Sequence, residues 1–299
     1  MKRKIQPTFD ILKEWIKTFV PDKDLFFLPE NKLASFKEYL HNALVIPHEE
    51  FNNHSSYKQI QLVNSYEYWN ISKDVNYVLV TPSGWVNQLP AKKKIDIFQI
   101  QKEVGRGLIH PISDFSVDIS FLSQNMIEVK GEKYVVFHKS MWEELSYTSK
   151  KDLMKDIAQQ WEDWTCYDYP TNTPPHIMKF ANTFPSTTGS NCLSATLFAI
   201  TQQEWMIEEW VHPKTFIQSL ENEHYHAITS QDSRAGDVVT WENSDGIIQH
   251  ASFCIDDHLF FNKRGQTFFN AWSIVHLTDL KEDWGRYSMK IFRKAVSNK

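Results

Sequence analysis

The chain has 299 residues, a length typical of two domains. Its formal net charge of −5 gives no basic surface for a phosphate backbone, so we expect no nucleic-acid partner. Aromatic residues make up 14% of the chain and glycine occupies only 9 positions, which excludes a disordered, collagen-like or linker-rich protein.

The residues up to about position 160 predict a mixture of helices and strands. Helices are predicted over Phe9–Val20, Lys32–Leu44 and Lys92–Ile109, a strand over Tyr77–Val80, and a hairpin of Ile127–Val129 with Tyr134–Phe137 that turns at Gly131-Glu132. A further helix is predicted to start at Ser149, because Asp152 three residues later resembles a capping box. No chemistry can be assembled from these residues, so residues 1–165 are predicted to form an N-terminal α+β domain of unknown role.

The sequence changes character near Cys166, where we place the domain boundary. Residues Tyr169–Asn191 are rich in Pro, Thr, Asn and Ser, which is typical of a loop around at most one short helix. Two helices and then a series of strands are predicted beyond it: helices Cys192–Gln203 and Pro213–Glu223, and strands Gly236–Trp241, Gln249–Ile255, His258–Lys263 and Tyr287–Arg293. Helices followed by an antiparallel sheet indicate an α+β fold for residues 166–299.

The cysteine content and the N-terminus indicate a cytoplasmic protein. The three cysteines are too few for a disulfide framework and favour a reducing compartment. The basic residues Met1–Lys4 are followed by charged residues from Asp10 onward, so the apolar segment of a signal peptide is missing. No run of about 18 apolar residues occurs, and we therefore expect no membrane span.

Cys192 is the first candidate for chemistry. It is expected in the first turn of its helix, directly after the cap candidates Ser190 and Asn191. At that position, backbone N–H groups and the positive end of the helix dipole favour a thiolate and can hold a developing oxyanion. The alternative is a buried structural cysteine, which is the commoner role for a single cysteine.

A thiolate nucleophile needs a base, and the base needs an orienting residue. His250 opens a predicted strand, and Asn262 lies on the next one. With a three-residue loop of Ile255-Asp256-Asp257, His250 falls opposite Asn262 and the two side chains share a face. A two-residue loop would instead place Lys263 opposite His250 and turn Asn262 to the other face. The first register predicts a triad of Cys192, His250 and Asn262.

Residues 190–293 resemble the NlpC/P60 superfamily of papain-like cysteine peptidases and amidases. The resemblance is carried by these features: the helix-opening Cys192, the run Ala235-Gly236-Asp237-Val238-Val239, the strand-opening His250, Asn262 twelve positions later where members carry His, Asn or Gln, the run Phe261-Asn262-Lys263-Arg264-Gly265, Trp272 and Leu277. The resemblance implies a papain-like core in which Cys192 is the nucleophile, His250 the general base and Asn262 the orienting residue. It also implies a cysteine hydrolase that cleaves an amide bond in a peptide or murein-type peptide.

Three features differ from the cell-wall members of that superfamily. Leu193-Ser194 stands where many members have Ser-Gly, and Phe180, Phe184 and a single Gly189 stand where they carry Tyr and paired glycines. The third difference is that no export signal is visible. A second hypothesis therefore stays open, a catalytically weak papain-like scaffold that acts as a binding or effector module. The expected partner is a peptide or peptidoglycan fragment, and the sequence leaves the oligomeric state open.

The other cysteines and histidine pairs are expected to be structural. Cys254 lies about 13 Å along its strand from His250, beyond hydrogen-bond reach, and Cys166 stands between aromatic residues. His224-x-His226 and Cys254-x3-His258 are potential metal half-sites, but neither has the spacing of a zinc or metallohydrolase motif. We expect neither a metal nor a cofactor.

Overall fold

The computed structural model of the chain describes residues 1–57, 65–230 and 232–295. The chain divides into two compact units: a C-terminal unit of Met1–Ile11 and Trp161–Lys299, and an N-terminal unit of Leu12–Gln160. Both units combine helices with antiparallel sheets, so the mixed α and β composition predicted from the sequence is confirmed. Among the described residues, no helix is long and apolar enough to cross a membrane.

The helices and strands follow one another in chain order, with short 3₁₀ segments between them. The helices are α1 (Phe9–Thr18), α2 (Glu30–Leu33), α3 (His48–Asn53), α4 (Ala91–Val104), α5 (Lys139–Glu144), α6 (Tyr147–Trp161), α7 (Pro175–Phe180), α8 (Cys192–Thr201), α9 (Pro213–Asn222) and α10 (Leu277–Trp284). The strands are β1 (Lys2–Lys4), β2 (Lys23–Leu28), β3 (Leu44–Pro47), β4 (Tyr77–Pro82), β5 (Ile109–Pro111), β6 (Met126–Val129), β7 (Glu132–Val136), β8 (Thr165–Tyr167), β9 (Tyr225–Ile228), β10 (Val238–Glu242), β11 (Ile248–Cys254), β12 (Leu259–Lys263), β13 (Trp272–His276) and β14 (Ser288–Lys294).

An antiparallel sheet in the order β13-β12-β11-β10-β14-β9 is the centre of the C-terminal unit. Successive side chains of a strand point to opposite faces, so the sheet has two apolar cores. On one face, Ala251 and Phe253 pack with Phe198 of α8 and with residues of α9. On the other face, Trp241 packs with Leu280 of α10. Helices therefore cover both faces of this sheet.

Asp237 anchors the start of β10 to β14. Its Oδ1 and Oδ2 accept hydrogen bonds from Nε and Nη2 of Arg293 at 2.8 and 2.7 Å, and Oδ2 also accepts from the Arg234 N–H at 2.9 Å. Gly236 precedes it with a φ of +90°, a conformation that glycine adopts without steric cost. The Gly-Asp pair therefore makes the turn that leads into the central strands.

The first strand of the chain belongs to the C-terminal unit. Strand β1 pairs antiparallel with β8, and the Ile5 N–H donates to the Trp164 carbonyl at 3.0 Å. All three side chains of β1 are exposed and basic, so hydrophobic periodicity gave no strand signal there. The predicted boundary between domains 1–165 and 166–299 places β1 in the first domain and most of β8 in the second. In the structure, both strands belong to the C-terminal unit.

In the N-terminal unit, Gln101 of α4 completes the free edge of β2. Its side-chain Oε1 accepts from the Phe27 N–H at 2.7 Å, and its Nε2 donates to the Phe27 carbonyl at 3.0 Å. Gln101 is fully buried, and β2 has its other edge paired with β4. The amide thus replaces a neighbouring strand and satisfies backbone groups that would otherwise be buried without partners.

A cluster of buried charges lies beside this core. Arg106 Nε donates to Glu67 Oε1 at 2.8 Å, and Asp24 Oδ1 accepts from the Lys139 N–H at 2.7 Å. Burial raises the pKa of Asp24 to about 6, although the charges of Arg106 and Lys139 act in the opposite direction. Asp24 therefore keeps its proton in the folded protein at pH values where an unfolded chain has released it.

Many of the predicted elements are confirmed, with their ends shifted by a few residues. The predicted elements that reappear are the helix from Phe9, the strand from Tyr77, the hairpin, the short helix α7, helices α8 and α9, and strands β10, β11, β12 and β14. Among the described residues, the elements that sequence analysis missed are α3, α5, α10, β1, β2, β3, β5, β8, β9 and β13.

Two predicted helices are wrong over part of their length. The helix expected over Lys32–Leu44 is the short α2 followed by a 3₁₀ segment, and Leu44 starts β3, in which only Ile46 is buried. The helix expected over Lys92–Ile109 ends at Val104, because Gly105 caps it with a φ of +83°.

The start of α6 and the turn of the β6–β7 hairpin lie one or two residues from their predicted positions. Helix α6 starts before Ser149, because the Ser146 hydroxyl accepts from the Ser149 N–H at 3.1 Å. The hairpin turns at Lys130-Gly131, both with positive φ, so that Val129 pairs with Glu132.

We predict that Asp24→Asn flattens the pH dependence of stability. The pKa of Asp24 is raised on folding, so its contribution is present at low pH and is lost as pH rises from about 4 to about 6. Between those values, the free energy of unfolding of the wild type should fall by about 2 kcal/mol more than that of Asp24→Asn, measured by urea unfolding of the full chain. The exposed Asp22→Asn is the control, and parallel curves for wild type and Asp24→Asn would contradict the prediction.

Candidate functional site

Cys192 is the first residue of α8, and its position is fixed by a capping box. Asn191 is the N-cap: its Oδ1 accepts from the Ser194 N–H at 2.9 Å, and its own N–H donates to Ser194 Oγ at 3.0 Å. The Asn191 Nδ2 also donates to the Val211 carbonyl at 2.7 Å. Both polar residues are buried, so the start of the helix is held on two sides. Asn191, one of the two expected caps, takes that role.

The Cys192 thiol lies against backbone N–H groups. The N–H groups of Ala251 on β11, of Leu193 and of Cys192 itself lie close enough to the thiol to favour its ionised form. Burial raises the pKa of the Cys192 thiol to about 11, while these N–H groups and the charge of Lys263 lower it. Desolvation therefore outweighs the helix N-terminus, and the resting form of Cys192 is the thiol rather than the expected thiolate.

His250 and Asn262 are brought together. His250 Nε2 lies 2.7 Å from Asn262 Oδ1, and each residue is only 1% exposed. Because Oδ1 is an acceptor, the bond places the imidazole proton on Nε2 and leaves Nδ1 with a free lone pair. Asn262 thus orients the imidazole in the way the sequence predicted.

The register that produces this contact differs from the predicted one. Cys254 pairs with Phe260, and extending the ladder places Ser252, not His250, opposite Asn262. The loop lies one residue later than expected, because Asp256 Oδ1 accepts from the N–H groups of His258 and Leu259 at 3.0 and 2.7 Å. The shift in pairing is two residues, which keeps Asn262 on the face of His250, so the two side chains still meet diagonally across the strands.

Aromatic side chains enclose the imidazole of His250. Its ring stacks on Trp284 of α10 with 4.3 Å between centroids and 5° between planes, and lies 5.6 Å from the ring of Trp241. Burial lowers the pKa of His250 to about 3, the bond to Asn262 acts in the opposite direction, and the charge of Arg264 lowers it further. The resting imidazole is neutral, as a general base requires.

Cys192 and His250 lie on opposite faces of the sheet, on the two sides of the peptide group between His250 and Ala251. Ala251, whose N–H lies beside the thiol, belongs to the core that α8 covers, whereas His250 contacts the aromatic residues of the other core. Among the contacts of the described residues, no hydrogen bond joins the Cys192 thiol to the His250 imidazole. The structure therefore brings His250 and Asn262 into contact and places Cys192 beside the peptide bond between His250 and Ala251.

Ser252 is a site residue that sequence reasoning missed. Its hydroxyl donates to Asn262 Oδ1 at 2.8 Å and lies 3.4 Å from His250 Nε2. With two donors on Oδ1, the side-chain amide of Asn262 is held in one orientation. The signal was available in the sequence, because Ser252 is two positions from His250 on a strand and must share its face.

Lys263 is a second missed residue, on the face that α8 covers. It alternates with Asn262 along β12 and is fully buried. Its Nζ donates to the carbonyl oxygens of Thr267 and Asn270, each at 2.9 Å. In the sequence, Lys263 was considered only as the residue opposite His250 in the alternative register. Its burial was not predicted, because a charged residue is rarely buried and contributes nothing to an apolar pattern.

The remaining candidates from the sequence have structural surroundings. The Cys254 thiol is buried and donates to the Asp256 carbonyl at 2.7 Å, and Cys166 is buried in β8. In residues 1–57, 65–230 and 232–295, no three His, Cys, Asp or Glu side chains converge in a way that could hold a metal ion. Neither His224-x-His226 nor Cys254-x3-His258 is therefore part of such a group.

Comparison of the chain with protein-family models, with curated proteins and with solved structures gave no match. The assignment of function consequently depends on the geometry of Cys192, His250 and Asn262.

We predict that His250 stays neutral, with its proton on Nε2, from pH 8 down to about pH 5. Burial and the bond to Asn262 Oδ1 produce this state, since the pKa of His250 is lowered to about 3. Long-range ¹H–¹⁵N correlation spectra of histidine-labelled protein report the tautomer, and His250→Gln assigns the signals. A proton on Nδ1, or titration near pH 6.5, would contradict the assigned geometry.

Proposed function

We propose that the chain is a cysteine hydrolase that cleaves an amide bond in a peptide, with Cys192 as nucleophile, His250 as general base and Asn262 as orienting residue. One observation carries the proposal: the Cys192 thiol lies beside the N–H of Ala251, the residue that directly follows the Asn262-bound His250. Thiol, imidazole and amide are the three groups that nucleophilic catalysis of this type needs.

The proposed reaction begins with transfer of the Cys192 proton to His250 Nδ1, the nitrogen that carries no proton at rest. The sulfur attacks the substrate carbonyl, and the backbone N–H groups of Cys192 and Leu193 stabilise the oxyanion. His250 returns the proton to the leaving amine, the C–N bond breaks and a thioester remains. Water, deprotonated by His250, then attacks the thioester, which releases the acid and restores the thiol. The first transfer requires the imidazole and thiol to approach, and such contacts are often long without substrate.

The papain-like NlpC/P60 core and the substrate class belong to the same proposal. A helix that opens with Cys192 and packs on an antiparallel sheet is the arrangement that this resemblance implies. Peptides of the murein type are the substrates expected from the resemblance.

A second candidate is a papain-like scaffold that binds a peptide without turnover. It is favoured by one observation, the burial that raises the pKa of the Cys192 thiol to about 11 and lowers that of His250 to about 3. A neutral pair of this kind is a poor nucleophile unless a substrate or another charge stabilises the thiolate.

We predict that the full chain hydrolyses at least one member of a panel of L-peptides and murein tetrapeptides, followed by mass spectrometry of the products. Cys192→Ala should reduce the rate to background, and His250→Ala should reduce it at least about 100-fold because the base is lost. Cys254→Ser is the matched control, since a hydroxyl can still donate to the Asp256 carbonyl, and it should retain the wild-type rate.

Hydrolysis that survives in Cys192→Ala would refute the nucleophile assignment. Binding of a panel peptide with no turnover by the wild type would favour the scaffold instead.

A further inference from the structure

A buried ammonium group lies on the same side of the sheet as the candidate nucleophile. Lys263 follows Asn262 on β12, so its side chain points to the face that α8 covers, with Phe261. Helix α8 packs directly on β11 and β12, the strands of Ala251 and Lys263. The ladder that places Ser252 opposite Asn262 places Ala251, whose N–H lies beside the thiol, opposite Lys263 on this face. The lysine charge favours the thiolate, and the thiolate favours the ammonium.

Two carbonyl groups and a carboxylate near Lys263 favour a positive charge in this place, although burial opposes it. Its Nζ has two carbonyl acceptors, those of Thr267 and Asn270. The carboxylate of Glu162, which accepts from Asn270 Nδ2 at 3.3 Å, is the other charged group that acts on Lys263. Burial lowers the pKa of Lys263 to about 7, and Glu162 and Cys192 act in the opposite direction.

The neighbouring cation cannot perform the same task. Arg264 pairs with Glu162 and Asp283, and its charge acts on His250, where it disfavours protonation of the imidazole. A positive charge on Arg264 therefore opposes the imidazolium that catalysis forms, whereas a positive charge on Lys263 stabilises the thiolate.

We propose that Lys263 is a positioning residue for the nucleophile: its buried ammonium stabilises the negative charge of the Cys192 sulfur after the thiol proton has left. This inference rests on the proposed function, because it assigns a role to Lys263 at the same site. The resting thiol and imidazole are both neutral, and His250 lies on the opposite face of the sheet, so it gives the sulfur no direct charge partner. Lys263 supplies a positive charge on the face of the sulfur.

Lys263 also holds the loop that follows it, so the test must separate charge from structure. The loop is closely packed: a Cβ on Gly265 would lie 2.4 Å from Asn270 Oδ1, and the Gly189 N–H donates to the Gln266 carbonyl at 3.2 Å. Loss of Lys263 is expected to loosen this loop as well as to remove the charge.

The experiment measures the rate of iodoacetamide alkylation at Cys192 from pH 6 to pH 11, with the modified peptide quantified by mass spectrometry. In the wild-type full chain at pH 6.5, below the pKa of about 7 of Lys263, the ammonium stabilises the thiolate, so the rate should be at least about threefold higher than in Lys263→Met. At pH 9 the lysine is neutral, and the two rates should converge. Lys281→Met, which removes an exposed lysine of α10, is the control and should keep the wild-type profile.

Lys263→Gln, which keeps a donor for the loop carbonyls but no charge, separates the two roles. It should show the rates of Lys263→Met with a wild-type unfolding midpoint. Equal rates for the wild type and a folded Lys263→Gln at pH 6.5 overturn the inference, and so does a difference that persists undiminished at pH 9. If peptide hydrolysis still depends on Cys192 and His250 in either case, the proposed function stands and only the role of Lys263 fails. Hydrolysis that survives in Cys192→Ala would refute the proposed function whatever the profile.

Discussion

The contact between the Ala251 N–H and the Cys192 thiol is the one on which the candidate site depends. It joins the first turn of α8 to β11 at the peptide that leads from His250. The capping box of Asn191 and Ser194 fixes one side of this contact, and the bond from His250 to Asn262 fixes the other. A helix start and a strand, which lie far apart in sequence, thereby place the Cys192 sulfur and the His250 imidazole on the two sides of one peptide group.

Burial sets the charge state of this site and outweighs the effects that favour ionisation. Three N–H groups and Lys263 favour the thiolate, yet the thiol is buried and its pKa rises to about 11. The same burial, with the aromatic rings of Trp241 and Trp284, lowers the pKa of His250 to about 3. The resting pair is neutral, so the proposed catalysis depends on charges that appear with the transition state. The N–H groups at the helix start and the ammonium of Lys263 are the groups available to stabilise them.

Sequence patterns predicted the contact of His250 with Asn262 better than they predicted the strand register or the N-terminal unit. Alternation along two strands was sufficient to place His250 and Asn262 on one face, because a shift in pairing of two residues preserves the face. The register itself depends on hydrogen bonds from the turn to Asp256, which no periodicity reveals. Lys263 and β1 were missed for a related reason: charged residues carry no hydrophobic signal, whether they are buried as in Lys263 or exposed as in β1. Which residues share a face of the sheet with Cys192 was not predictable from the sequence, because this depends on how α8 packs on the sheet.

The most direct test of the account is a stopped-flow measurement with p-nitrophenyl acetate, followed by intact-mass analysis. The account predicts a burst of about one equivalent of p-nitrophenol and an acetyl group on Cys192, with a burst rate at least about 100-fold slower in His250→Ala. An acetyl group on another residue would contradict the central role of Cys192. A burst of unchanged rate in His250→Ala would contradict the pairing of Cys192 with His250.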